Sequence, residues 1–166
     1  MEAIHDGHWI CQMADVLTCE IIQEMASISI GRCTKLGVPE SELDLVYGLV
    51  DGDYQMELLF RAEPRFFYRM AENMIGDPPE DELEVQEYAS EFFNTLCGRF
   101  ISEIYRATRR PARFHPIRYQ TASECQGICE DGMFVSLYFV SDQKEYVEFS
   151  WTKCPMEELL KRSEEE

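Results

Sequence analysis

Glu87, Glu91, Asn94 and Gly98 recur at i, i+4, i+7 and i+11 inside a long amphipathic stretch. On a helix turning about 100° per residue they form one stripe. Val85, Tyr88, Ala89, Phe92, Phe93, Leu96, Cys97, Phe100 and Ile104 make a broad apolar face nearly opposite it. The pattern predicts a helix seated on a core that offers solvent carboxylates, an amide and a glycine. An amide carries both a donor and an acceptor and does not titrate near neutrality, so it can orient a small polar group such as water. A glycine in mid-helix costs about 1 kcal/mol against alanine. One reason to keep it is that something approaches the backbone there. The stripe reads as a flat docking surface from which two polar groups reach out.

Other residues of possible chemistry carry less. The three histidines stand at positions 5, 8 and 115, and no cysteine sits in a recognisable activating motif, so a nucleophilic hydrolase is not expected. His5-x2-His8-x2-Cys11 has ligand types at helical spacing, but no second cluster completes a tetrahedral site. No metal is assigned to this chain. Seven cysteines, an odd number without framework spacing, read as reduced thiols of a cytoplasmic protein, Cys125-x3-Cys129 included. Arg106, Arg109, Arg110 and Arg113 gather where the long helix ends, as its C-terminal dipole favours.

The elements that must position the stripe follow in order. Trp9 to Met25 carries Ile10, Met13, Val16, Leu17, Ile21 and Met25 on one side and reads as a helix. Ser27 to Leu36 suggests a short strand. Leu43 to Val50 and Tyr54 to Phe60 read as a strand pair with a tight turn at Asp51-Gly52. Pro64 to Ile75 is a second helix, stopped by Gly76-Asp77-Pro78-Pro79. The third, Glu80 to Arg106, opens with acidic residues and contains the stripe. After Pro111 come strands at Ala112 to Tyr119, Ala122 to Cys129, Met133 to Val140 and Glu145 to Trp151, with Asp131-Gly132 at one turn. The sum is an α/β two-layer (α+β) domain, a mostly antiparallel sheet packed against long helices.

Composition narrows the classes. The 166 residues suit a single domain, residues 1–155, followed by an acidic tail, 156–166. Apolar residues make up 45% of the chain, enough for a real core. No apolar run approaches the roughly 20 residues that span a bilayer, and the N-terminus has no signal-peptide pattern. A net charge of −17 repels phosphate backbones, so neither nucleic acid nor an anionic membrane is expected as a partner.

Glu91-Phe92-Phe93-Asn94 followed by Gly98, with Glu87 four positions earlier and Pro116 downstream, resembles a family signature. It is similar to the Glu-x-x-Asn helix motif of the CheC/CheX/FliY phosphatases, which dephosphorylate the chemotaxis response regulator CheY. The order of elements agrees over roughly residues 8 to 155. The motif stands once, with no counterpart around Asp15 to Met25, which points to the CheX type rather than to CheC. The resemblance implies a CheC-like fold, a cytoplasmic homodimer whose sheet continues across the pair, and a phosphorylated CheY-like receiver domain as partner. It also implies that this chain binds no cofactor and that Mg²⁺ sits on the receiver. Arg99 stands where many relatives have a second asparagine or another small polar residue, and Phe92 and Phe93 are bulkier than is usual between the motif's ends.

By the same resemblance, Asn94 orients the water that attacks the aspartyl phosphate, and Glu91 reaches the receiver's lysine. Glu87, Gly98 and Phe93 are candidate docking residues, Phe93 because it lies toward the edge of the apolar face. Pro116 shapes the strand beside the helix. Two other readings stay open from the sequence: a non-catalytic CheX-like module that docks a receiver or another signalling partner, and an unrelated acidic α/β domain whose helix face is merely solvated.

Overall fold

Gly76, Asp81 and Arg109 mark where the helices stop and start. In a computed structural model of the protein, residues 8–124 and 134–152 are described. Gly76 closes Pro64–Ile75 (α2) in the left-handed conformation that glycine tolerates. Asp81 caps Glu82–Thr108 (α3), its carboxylate accepting from the Glu84 N–H at 2.9 Å. Arg109 ends α3 with φ 59°, its N–H donating to the Tyr105 carbonyl at 2.7 Å. The first helix, His8–Ala26 (α1), and α2 both pack against α3.

The strands are Ile30–Cys33 (β1), Asp44–Gly52 (β2), Met56–Ala62 (β3), Ala112–Phe114 (β4), Arg118–Gln120 (β5), Phe134–Ser141 (β6) and Tyr146–Thr152 (β7). They form one sheet in the order β1-β6-β7-β3-β2-β4, with β5 also on β2, and every pairing is antiparallel. Alternation sends Phe60 of β3, Leu137 and Phe139 of β6 and Phe149 and Trp151 of β7 toward the helices. Phe92 meets Phe60 edge-on at 4.9 Å, and Phe100 meets Phe149 at 5.5 Å and 87°. This is the α+β layering that the residue pattern predicts.

Three local expectations are corrected. Asp51-Gly52 is not the turn: both residues stay in β2, paired with Arg113 and Ala112 of β4, and the Asp53 N–H donates to the Pro111 carbonyl at 3.0 Å. Gly52 has φ 136°, and a Cβ there would stand 2.9 Å from both Ala112 Cα and the Pro111 oxygen, so close strand approach accounts for that glycine. The strand expected over Ala112 to Tyr119 divides at His115-Pro116-Ile117, since proline has no N–H to give the ladder. Ala122 to Glu124 form a turn, while the rest of the strand expected to Cys129 lies outside the described residues. So do the Asp131-Gly132 turn, His5, Cys125 and the acidic tail.

On the far side of the sheet the chain crosses from β1 to β2. Glu40 of this crossing pairs with Arg61 at 3.2 Å, and Arg61 also holds the buried Glu148 at 3.2 Å. A second buried carboxylate, Glu145, ties the turn between β6 and β7 to α2 through Arg69 and accepts a bond from the Ser141 hydroxyl at 2.7 Å. Buried charge is thus paired and hydrogen-bonded, as its desolvation demands.

Candidate functional site on the long helix

One face of α3 is driven into the core. Val85, Ala89, Phe92, Phe93, Leu96, Cys97, Phe100 and Ile104 are all buried. That leaves the opposite side to solvent, and Glu87, Glu91 and Asn94 are exposed there, with Gly98 half-buried. Among the described residues, the side chains of Glu87, Glu91 and Asn94 make no hydrogen bond or ion pair within the chain. The local backbone is satisfied without them. The Thr95 hydroxyl donates to the Glu91 carbonyl at 3.2 Å, and the Ser102 hydroxyl donates to the Gly98 carbonyl at 2.8 Å. Four of the five expected site residues therefore share one solvent face.

Phe93 does not belong with them. It is fully buried, with its ring 6.3 Å from that of Phe60 and 6.2 Å from that of Phe149. Its place near the edge of the apolar arc left its direction open, and the sheet beneath took it inward. Phe93 is a core residue and cannot anchor a partner while the fold is intact. Phe92 is equally buried, so the two bulky rings between Glu91 and Asn94 do not crowd the surface.

The stripe has defined flanks. Arg99 leans toward α1 and pairs with Glu24 at 3.3 Å and Glu20 at 3.9 Å. Phe114 of β4 lies on another side, its ring 3.7 Å from where a Cβ on Gly98 would stand. The 115–117 segment with Pro116 runs close by, Ile117 packing near Gly48 beneath Cys97 and Phe93. Sequence reasoning passed over the arginine link to α1, because a contact across about 75 residues has no local signal. It also passed over Leu83 and Tyr105, exposed in the same row as Glu87, Asn94 and Gly98. Their spacing from Asn94 was the available sign.

Among the described residues nothing nearby competes as reactive chemistry. Burial pushes the Cys97 thiol well above its ordinary pKa, and Cys19 is raised to about 11, chiefly by burial and then by Asp15. Such thiols are poor nucleophiles at neutral pH. Among the described residues no group of three His, Cys, Asp or Glu is placed to hold a metal ion. None of the described helices is long and apolar enough to cross a membrane. A cleft of about 460 Å³, lined by Leu49, Asp51, Glu57, His115 and Thr152, opens on the far side of the sheet. There Asp51 is held below the usual carboxylate range, first by its hydrogen bond to His115 and then by Arg113. The stripe on α3, by contrast, is an outward-facing helix surface, shaped to meet another folded surface rather than to enclose a small molecule.

Fold and site together define an α+β domain whose sheet carries, on a rigid helix, an exposed acid and amide one turn apart. No family model matches the chain, and no curated protein matches it in sequence. Solved structures do match in fold. A chain of the CheX-CheY-BeF3-Mg²⁺ complex from Borrelia burgdorferi superposes with TM-score 0.67 at 12% identity, over 86% of this chain and 96% of that one. CheX from Vibrio vulnificus gives 0.68 at 13% identity, over 86% and 95%. FliY from Thermotoga maritima gives 0.66 at 10% identity, over 99% and 98%. The fold is that of the CheX, CheC-like and FliY proteins.

Proposed function

We propose that the protein is a CheX-type member of the CheC/CheX/FliY group, a cytoplasmic and homodimeric phosphatase acting on the aspartyl phosphate of a CheY-like receiver domain. The observation that carries this reading is the pairing of Glu91 and Asn94. Both are exposed, both lack intramolecular partners among the described residues, and both stand on a helix whose other face is locked in the core. They occupy that place in a fold shared with a CheX solved together with CheY.

In the reaction, the oxygen of a water attacks phosphorus, the bond to the aspartyl oxygen breaks, and aspartate and inorganic phosphate are released. The receiver brings Mg²⁺ and a lysine for the phosphoryl charge. What it needs is a group that holds the water in line, and positioning supplies much of the rate in phosphoryl transfer. The Asn94 amide accepts from that water while donating to the phosphoryl side, and needs no proton change. Glu91 meets the receiver's lysine in a charge-assisted contact that sets the register. Gly98 keeps the helix surface low for the partner's loops, and Glu87 extends the acidic rim.

The test follows phosphate loss from a panel of receivers with wild type, Asn94→Ala and Glu91→Ala. Asn94→Ala is expected to lower turnover by about 10²-fold or more while leaving half-saturation unchanged, because the amide acts on the transition state. Glu91→Ala is expected to raise half-saturation by about tenfold or more. Equal loss of binding and turnover in Asn94→Ala would remove its assigned role. If wild type speeds no receiver yet still binds phosphorylated ones, the protein is a docking module without turnover.

A further inference from the structure

The outer row of α3 continues past its polar residues at both ends. Leu83 stands eleven residues before Asn94, and Tyr105 stands eleven after it. Eleven residues make about three helical turns, so the three side chains fall on one line to within about 20°. Leu83 is 62% exposed and Tyr105 42%, the two large apolar side chains that α3 leaves in water. Tyr105 is also held in place. Arg109, fixed in the left-handed conformation that ends the helix, lays its guanidinium over the ring at 5.7 Å.

Distance ties the two residues to the site. At 1.5 Å per residue, each lies about 16 Å from Asn94 along the helix. A standard contact between folded proteins covers about 800 Å² on each partner, a disc of about 16 Å radius. A receiver domain centred on Asn94 therefore just reaches both. Between Leu83 and Asn94 stand Glu87 and Glu91, with no basic side chain paired to them among the described residues. The surface runs apolar, acidic, amide, glycine, aromatic.

We infer that Leu83 and Tyr105 are the apolar ends of the receiver-docking surface. They set affinity, while Asn94 sets turnover. The inference rests on the proposed function. It commits the occupant to a folded receiver domain with a basic group near its phosphorylation site, to meet Glu87 and Glu91, and apolar side chains farther out on both sides. Tyrosine suits such a place because it buries a large rigid surface at little entropic cost.

The experiment measures phosphate loss and binding for the receiver panel, using the full chain as wild type, Leu83→Ser, Tyr105→Ser, Tyr105→Phe and the Leu83→Ser/Tyr105→Ser pair. Leu49→Ser serves as control, since Leu49 is 42% exposed but lies on the far side of the sheet. Each serine variant should raise half-saturation by about three- to tenfold and the pair by more, with maximal turnover within about twofold of wild type. Tyr105→Phe and Leu49→Ser should behave as wild type, and thermal midpoints should confirm that all variants are folded. If Asn94→Ala loses turnover while the serine variants keep wild-type half-saturation, the inference is overturned and the proposed function stands. Loss of maximal turnover without loss of affinity overturns it as well. If wild type neither binds nor dephosphorylates any receiver, both readings fall together.

Discussion

Replacing Gly98 with alanine should move stability and activity in opposite directions. The glycine sits inside α3 with ordinary helical backbone, and among the described residues an added Cβ meets only Phe114 Cε1, at 3.7 Å, an unstrained contact. Nothing among the described residues therefore requires glycine here, and removing its backbone freedom in the unfolded state should stabilise the fold by about 0.5–1 kcal/mol. For a chain of this size that is a rise in thermal midpoint of about 1–4 °C. The same methyl stands on the docking face one turn beyond Asn94. If partner loops pack against that backbone, over-packing by one methyl should cost about 1–3 kcal/mol of binding. Half-saturation in the phosphate-loss assay would rise by about thirtyfold at mid-range. Calorimetry and the kinetic assay on the same preparation give both signs. A lower midpoint would refute the reading of the local geometry. A higher midpoint with unchanged half-saturation would refute the idea that the glycine serves close approach.

Three further outcomes follow from the packing. Phe93→Ala should cost about 3–5 kcal/mol in urea unfolding, because it empties a fully buried site between Phe60 and Phe149; a loss under about 1 kcal/mol would return Phe93 to the surface. Arg69→Met should cost about 3 kcal/mol at neutral pH, since it strands Glu145, only 2% exposed, with the Ser141 hydroxyl as remaining side-chain partner; an unchanged unfolding midpoint would show that the pair contributes nothing. Cys19, with its pKa raised to about 11, should be about 0.1% thiolate at pH 8. Its alkylation, followed by peptide mass mapping, should climb about tenfold per pH unit up to that pKa, and a plateau near pH 9 would contradict the burial argument.

What the residues determined by themselves is what local periodicity and local chemistry can carry. Apolar spacing placed three helices and the direction of the α3 stripe. Gly76, Asp81 and the run of proline and acid between them marked where α2 stops and α3 starts. In β3 the alternation of Met56, Leu58 and Phe60 with Glu57 and Leu59 marked which of its side chains face the helices. The motif residues Glu91 and Asn94 could be read as exposed because their faces follow from 3.6 residues per turn alone.

Tertiary structure decided the positions where local signals were weak or were outweighed. Phe93 sits at the margin of its helical arc, and only the rings of Phe60 and Phe149 beneath it turn it into core. Asp51-Gly52 has the composition of a tight turn, yet pairing with Arg113 and Ala112, about sixty residues away, keeps both in the strand. Arg99 finds Glu20 and Glu24 on a helix that precedes it by about 75 residues. Such pairings depend on which surfaces the whole chain brings together, and no window of neighbouring residues contains that information.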